Sequence, residues 1–233
     1  MSSILEVQGL TKSYGKGANA FTALHDVSIA VEKGESLAIL GKSGSGKSTL
    51  MHLMALLDKP TAGTVSIDGQ DASKIAARKL NALRNKTFGF VFQQFFLNAN
   101  ANVLENTILP LKIAGVRSRK RKQLGLEALR QVELDDKARN KAKDLSGGQK
   151  QRAVIARALI NQPQIIFADE PTGNLDSTTG RKIEDLLFSL NKQHGITLIL
   201  VTHDEDLAAR CDRQIHIKDG LVVGAKEKEL VRL

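Results

Sequence analysis

The chain has 233 residues, 42% apolar and 25% charged, and 34 Lys+Arg against 25 Asp+Glu give it a net charge of +9. Those values exclude disorder, collagen and small disulfide scaffolds, and they suit one large domain with a sizeable core. The one cysteine, Cys211, excludes an internal disulfide and fits a reducing compartment, while the positive charge suits a nucleotide, a nucleic acid or an anionic membrane surface.

The N-terminal stretch to about Val31 alternates as strands do, and its first residues, MSSILEVQGLTKSY, lack the apolar core of a signal peptide. No apolar run reaches the roughly 18 residues that span a bilayer. Ser36–Leu40 reads as a buried strand and Ser48–Leu57 as the helix after it. A second strand is expected at Phe88–Phe92. From about residue 98 to 144 the pattern turns helical and basic, with RSRKRK at Arg117–Lys122, and predicts a helical lobe inserted into the core. The basic run reads as a solvated helix face, or as one lying near lipid headgroups.

Lys150–Ile160 follows as a helix whose apolar face is Val154, Ile155, Ala158 and Leu159. Then come strand Ile165–Ala168, helix Thr179–Gln193, strand Thr197–Val201 and helix Glu205–Cys211. Strand–helix alternation predicts a three-layer α/β core with a mainly parallel sheet, in a single domain over residues 1–233.

Residues Gly41, Lys42, Ser43, Gly44, Ser45, Gly46, Lys47, Ser48 and Thr49 read GKSGSGKST, which fits G-x-x-x-x-G-K-[ST] between a strand and a helix. Glycines let backbone N–H groups turn inward onto phosphate oxygens, and the helix adds its positive end. Lys47 is expected to reach the β- and γ-phosphates, and Ser48 to ligate Mg²⁺. A second strand ends in Asp169 and Glu170. There an Asp can hold Mg²⁺ through water and a Glu can orient or deprotonate an attacking water. The bland alternative is an acid pair at the surface.

LSGGQ, Leu145–Gln149, sits at the mouth of the Lys150–Ile160 helix and is another anion site of the same kind. One nucleotide does not need two such sites from one chain. A two-fold dimer, each phosphate loop facing the other chain's LSGGQ, uses both.

The ordered set GKSGSGKST, VFQQ, LSGGQ, IIFADE, GNLDS and VTHD resembles the ATP-binding subunits of ABC transporters, over nearly the whole chain from about Ile4 to Gly224. FADEPTGNLDS and GFVFQQ look most like the lipoprotein-release, macrolide-export and antimicrobial-peptide-export branch. The resemblance implies a P-loop NTPase core of mainly parallel sheet, an N-terminal antiparallel β subdomain and an inserted α-helical subdomain. It implies that Tyr14 stacks on adenine, and that Gln93, first of the VFQQ pair, lies near Mg²⁺ and the attacking water, with Gln94 a loop amide. Ser146, Gly147, Gly148 and Gln149 are expected on the γ-phosphate bound by the other chain. Asp176 is expected at the dimer interface and also reads as a helix cap. His203 is expected to contact the γ-phosphate; the other four histidines read as structural.

The implied protein is an ATP hydrolase with ATP and Mg²⁺ as cofactors. It forms an ATP-dependent homodimer beneath a separately encoded permease, on the cytoplasmic face of the cell membrane. One departure follows VFQQ. FFLNANANVLENTILPLKIAG lacks the early proline of many relatives in the branch, in a region that faces the membrane partner in that family. The alternative is an ABC-type ATPase acting on nucleic acid or ribosomes, which the charge permits, but no basic–aromatic strip stands out for it. LSGGQ and VTHD argue against a phosphate-loop kinase or small GTPase.

Overall fold

The computed structural model describes residues 3–227. In chain order the elements are β1 (Ser3–Tyr14), β2 (Phe21–Glu32), β3 (Ser36–Leu40), α1 (Lys47–Met54), β4 (Ala62–Ile67), β5 (Gln70–Asp71), α2 (Ala77–Thr87), β6 (Phe88–Phe92) and α3 (Val103–Thr107). They continue as α4 (Leu109–Ile113), α5 (Ser118–Gln131), α6 (Gly147–Leu159), β7 (Ile165–Asp169), α7 (Ser177–His194), β8 (Thr197–Val201), α8 (Glu205–Ala209), β9 (Arg213–Lys218) and β10 (Leu221–Glu227). The described residues divide into two compact units, 3–80 with 197–227, and 81–196.

In the first unit β1 lies between β2 and β4, antiparallel to both, in a sheet of order β2-β1-β4-β5. Its other strands run β10-β9-β3-β8. There β3 is parallel to β8 and β9, with Ser36 opposite Leu198 and Ile39 opposite Ile215, while β10 returns antiparallel to β9. Every residue of β3 and β8 is buried. Burial on both faces is why these strands read as unbroken apolar runs without alternation. Next along the chain, α1 buries Leu50, Met51, Leu53 and Met54.

In the second unit β6 and β7 pair in parallel, from Phe88 opposite Ile165 to Phe92 opposite Asp169. An aromatic ladder runs along them. Phe88 packs edge-on against Phe167 at 5.3 Å, Phe90 stacks on Phe92 at 5.7 Å, and Phe92 meets Phe96 edge-on at 5.6 Å. Residues 98–144 hold α3, α4 and α5 with short 3₁₀ turns. Asn102 and Glu105 form a reciprocal capping box at the start of α3.

The helix ends differ from the sequence expectation for identifiable reasons. At α1 the helix stops at Met54 because Leu56 takes a positive φ of 56°. The start of α6 moves back to Gly147, where Ser146 caps it, and that of α7 to Ser177, where Asp176 does. α8 closes at Ala209 in a turn that bonds Cys211 N–H to Ala208 O. No helix among the described residues is long and apolar enough to cross a membrane.

Candidate functional site

The first unit holds the phosphate loop between β3 and α1. Gly41 has φ 152°, and a Cβ there would overlap the Ile217 carbonyl oxygen and lie 2.7 Å from Ser45 Oγ. Gly44 and Gly46 also take positive φ, and Gly46 is the N-cap of α1. Lys42, Ser43 and Gly44 are exposed at the tip. Lys47 is buried to 9% exposure, and its Nζ donates to Gly41 O at 2.7 Å and to Lys42 O at 2.9 Å, so its charge lies over its own loop. Among the described residues the buried Ser45 Oγ finds no hydrogen-bond partner. An orphaned hydroxyl inside a cradle that admits no side chain fits a phosphate group. Ser48 is exposed in the first turn of α1, and Thr49 is half-buried beside it.

Two other residues of this unit were singled out by the sequence. Tyr14, at the end of β1, is exposed, and its hydroxyl donates to Asp58 Oδ2 at 3.1 Å. Lys12 Nζ sits 4.7 Å from the Tyr14 ring centroid and 2.8 Å from the same Asp58 oxygen, so one face of the ring carries a cation. Burial pushes the Asp58 carboxyl up. Hydrogen bonds from Lys12, the Lys59 N–H and Tyr14, with the charge of Lys12, outweigh that and hold it below the usual carboxylate value. His203 follows β8 and is exposed in a turn fixed on both sides. Thr202 N–H donates to Ile39 O, Asp204 N–H to Thr202 Oγ1, and Asp204 caps α8 by accepting from Asp206 and Leu207 N–H.

In the second unit Asp169 ends β7 and Glu170 begins the turn toward α7 with φ 44°, left-handed and uncommon for a non-glycine residue. The turn is closed by Gly173 N–H to Glu170 O at 3.1 Å and Leu175 N–H to Thr172 O at 3.0 Å. Gln93 leaves β6 where Phe92 pairs with Asp169, so it and Glu170 start at the same level of the two strands. Its loop is also held by Arg157, which donates to Phe95 O and Phe96 O. Asp176 accepts from Thr179 N–H at 3.0 Å, and bonds from the Thr179 hydroxyl and N–H hold its carboxyl below the usual value. The cap expected of it is therefore present.

Within LSGGQ, Ser146 caps α6 and Gly147, Gly148 and Gln149 form its first turn. Ser146 Oγ accepts from Gln149 N–H at 3.3 Å, and Gln149 Oε1 accepts from Ser146 N–H at 3.0 Å. Gly147 and Gly148 lie between them at the helix mouth. Beside Ser146, Gly148 and Gln149 is a cavity of about 360 Å³ that also carries the cations Arg152 and Lys182. Each unit thus presents a helix N-terminus built from small residues, Gly46 capping α1 and Ser146, Gly147 and Gly148 opening α6.

A family described as "ABC transporter" matches residues 24–173. The chain belongs to that family. It is an ATP-binding and ATP-hydrolysing cassette with the α/β fold of that group. It is 46% identical over 220 residues to the "Lipoprotein-releasing system ATP-binding protein LolD" of Syntrophus aciditrophicus, covering 94% of this chain and 99% of that one. It is 42% identical to the "Macrolide export ATP-binding/permease protein MacB" of Mannheimia succiniciproducens, covering 99% of this cassette but 36% of that protein. Among solved structures, the cassette MJ0796, described as dimeric in a post-hydrolysis state bound to ADP and Pi, superposes with a TM-score of 0.88 at 41% identity. That match covers 97% of this cassette and 99% of that one. These relatives are transport components, and nothing in them supports an ATPase acting on nucleic acid or ribosomes.

Sequence reasoning missed three residues that the structure ties to the expected ones: Asp58 under Tyr14, Gln151 in α6, and Asn174 against Gln93. A signal existed for Gln151. It lies three, four and seven residues before Val154, Ile155 and Ala158, on the same helix face as that apolar stripe, where a glutamine must find a buried partner.

Proposed function

We propose that the cassette works as a homodimer around two MgATP, on the cytoplasmic face of a membrane, beneath a separately encoded permease of the export or lipoprotein-release type. The observation that carries this is the pair of helix N-termini, at Lys47 and Gly147, in one chain similar to a cassette described as a dimer bound to ADP and Pi. Two anion-binding helix ends per chain suit a nucleotide held by the phosphate loop of one copy and the Ser146–Gln149 turn of the other.

In this reading the Gly41–Thr49 backbone, Lys47 Nζ and Ser45 Oγ bind the phosphates, and the exposed face of Tyr14 takes the adenine. Lys47 turns from the carbonyls of Gly41 and Lys42 toward the β- and γ-phosphate oxygens. Ser48, Asp169 and Gln93 would hold a Mg²⁺, which would supply charge neutralisation for the phosphates. Glu170 accepts a proton from, or orients, the water that attacks the γ-phosphorus in line with the departing ADP oxygen. His203 donates to a γ-phosphate oxygen and keeps the water in line. Ser146, Gly147, Gly148, Gln149 and Asp176 act across the dimer interface. Loss of the γ-phosphate removes the contact that ties the two copies, and the opening drives the permease. The helical stretch of residues 98–144, taken as a lobe inserted in a single cassette domain, is the part that meets that permease.

The test uses Glu170→Gln in detergent-solubilised membranes of the source cell with MgATP. A slow, stable dimer that brings down a polytopic membrane protein at near-equal stoichiometry is expected. Wild-type turnover would remove Glu170 from its role, and recovery of ribosomes or nucleic acid with no membrane protein would overturn the transport reading.

A further inference from the structure

We propose that Asn174 is a positioning residue that fixes Gln93, with Gly173 supplying the space for it. This rests on the reading of Gln93 as a group at the metal and the attacking water. Asn174 Nδ2 donates to the Gln93 main-chain oxygen at 2.9 Å, and Gln93 Nε2 donates to Asn174 Oδ1 at 3.4 Å. One carboxamide thus grips both the backbone and the side chain of one residue, 81 positions away in sequence.

The second of these bonds selects an orientation. A glutamine amide has a donor end and an acceptor end, and a hard cation takes only the oxygen. Because Asn174 Oδ1 engages Nε2, the Oε1 end of the exposed Gln93 is the one turned away from Asn174. Asn174 therefore decides which end of Gln93 is offered to a cation or a water.

Gly173 completes the seat. A Cβ at this position would lie 2.8 Å from Gln93 Nε2, 3.2 Å from Cδ and 3.4 Å from Cγ. With the amide nitrogen that close, a side chain at Gly173 requires the end of Gln93 to shift. Gly173 also closes the turn through its N–H to Glu170 O. The turn that presents Glu170 and the seat of Gln93 are thus one piece of backbone, so a shift of Glu170 is felt by Gln93 through Gly173 and Asn174.

The experiment measures steady-state ATP hydrolysis by the full chain across ATP and Mg²⁺ concentrations, and the chain's melting temperature with and without Mg²⁺, for Asn174→Ala, Gly173→Ala, Gln93→Ala and Asn174→Ala/Gln93→Ala. Asn174→Ala is expected to lower kcat about tenfold, leave KM for ATP within about twofold, and raise the Mg²⁺ concentration for half-maximal rate. Gly173→Ala, which moves Gln93 with Asn174 intact, is expected to do the same. In the Gln93→Ala background the Asn174 substitution is expected to add less than about twofold. An equal loss from Asn174→Ala with and without Gln93 would overturn the proposal while leaving Gln93 in its role. So would a lowered melting temperature with an unchanged Mg²⁺ dependence. Wild-type kcat and Mg²⁺ dependence in Gln93→Ala alone would instead overturn the role of Gln93, and this proposal with it.

Discussion

Gln151 of α6, with no exposed surface, donates from Nε2 to the carbonyl of the buried Pro171 at 2.6 Å. Pro171 follows Glu170, whose φ of 44° must be held by its surroundings. The helix that begins with LSGGQ and the turn that presents Glu170 therefore share one buried hydrogen bond. Gln151→Leu keeps the size and removes the donor, leaving a buried carbonyl unpaired. The expected cost is about 1–3 kcal/mol in urea unfolding, with a fall in kcat at unchanged KM for ATP. Full stability and full kcat would show that the turn holds itself.

Gly41 and Gly44 are both glycines of the phosphate loop, but they answer to different constraints. A Cβ on Gly41 meets the Ile217 carbonyl oxygen of β9, whereas one on Gly44 meets nothing within 4 Å. Gly44→Ala is expected to cost only its backbone strain, about 1–2 kcal/mol. Gly41→Ala is expected to displace the loop from β9, lower the melting temperature further and abolish measurable ATP binding. Calorimetry with and without nucleotide separates the two, and equal effects would refute the contact at Ile217.

The Asp58 site predicts a pH dependence. Its carboxyl titrates below the ordinary value when folded, so folding favours the ionised form. The Lys12–Asp58–Tyr14 cluster is then fully stabilising above the unfolded value of about 3.9, and that contribution is lost as pH falls through the lower folded value. Comparing chemical unfolding of the wild type and Asp58→Asn, the difference is expected to be constant near neutrality and to shrink below about pH 4. A difference independent of pH would show that the carboxylate charge contributes nothing.

Much of the core was legible in the sequence because both-face burial demands it. Ser36–Leu40, Phe88–Phe92 and Thr197–Val201 form strands with the expected ends. The helix starts were not. The helices after LSGGQ and GNLDS read as starting at Lys150 and Thr179, yet Ser146 caps the first at Gly147, and Asp176, which did read as a cap, begins the second at Ser177. The glycines of LSGGQ argue locally for a loop, and the capping box overrides that preference.

For the candidate site, the sequence by itself determined the family and the chemistry proposed. The order and spacing of GKSGSGKST, VFQQ, LSGGQ, ADE and VTHD name the family and the residue types expected to handle phosphate. Short-range rules suffice there because a phosphate loop is made by contiguous residues. Only the tertiary structure decided how those residues are held. Asp58 beneath Tyr14, Gln151 beneath Pro171 and Asn174 on Gln93 join positions 44, 20 and 81 residues apart. Such a hydrogen bond leaves no periodicity in the sequence, because its partners become neighbours only when the strands and helices pack.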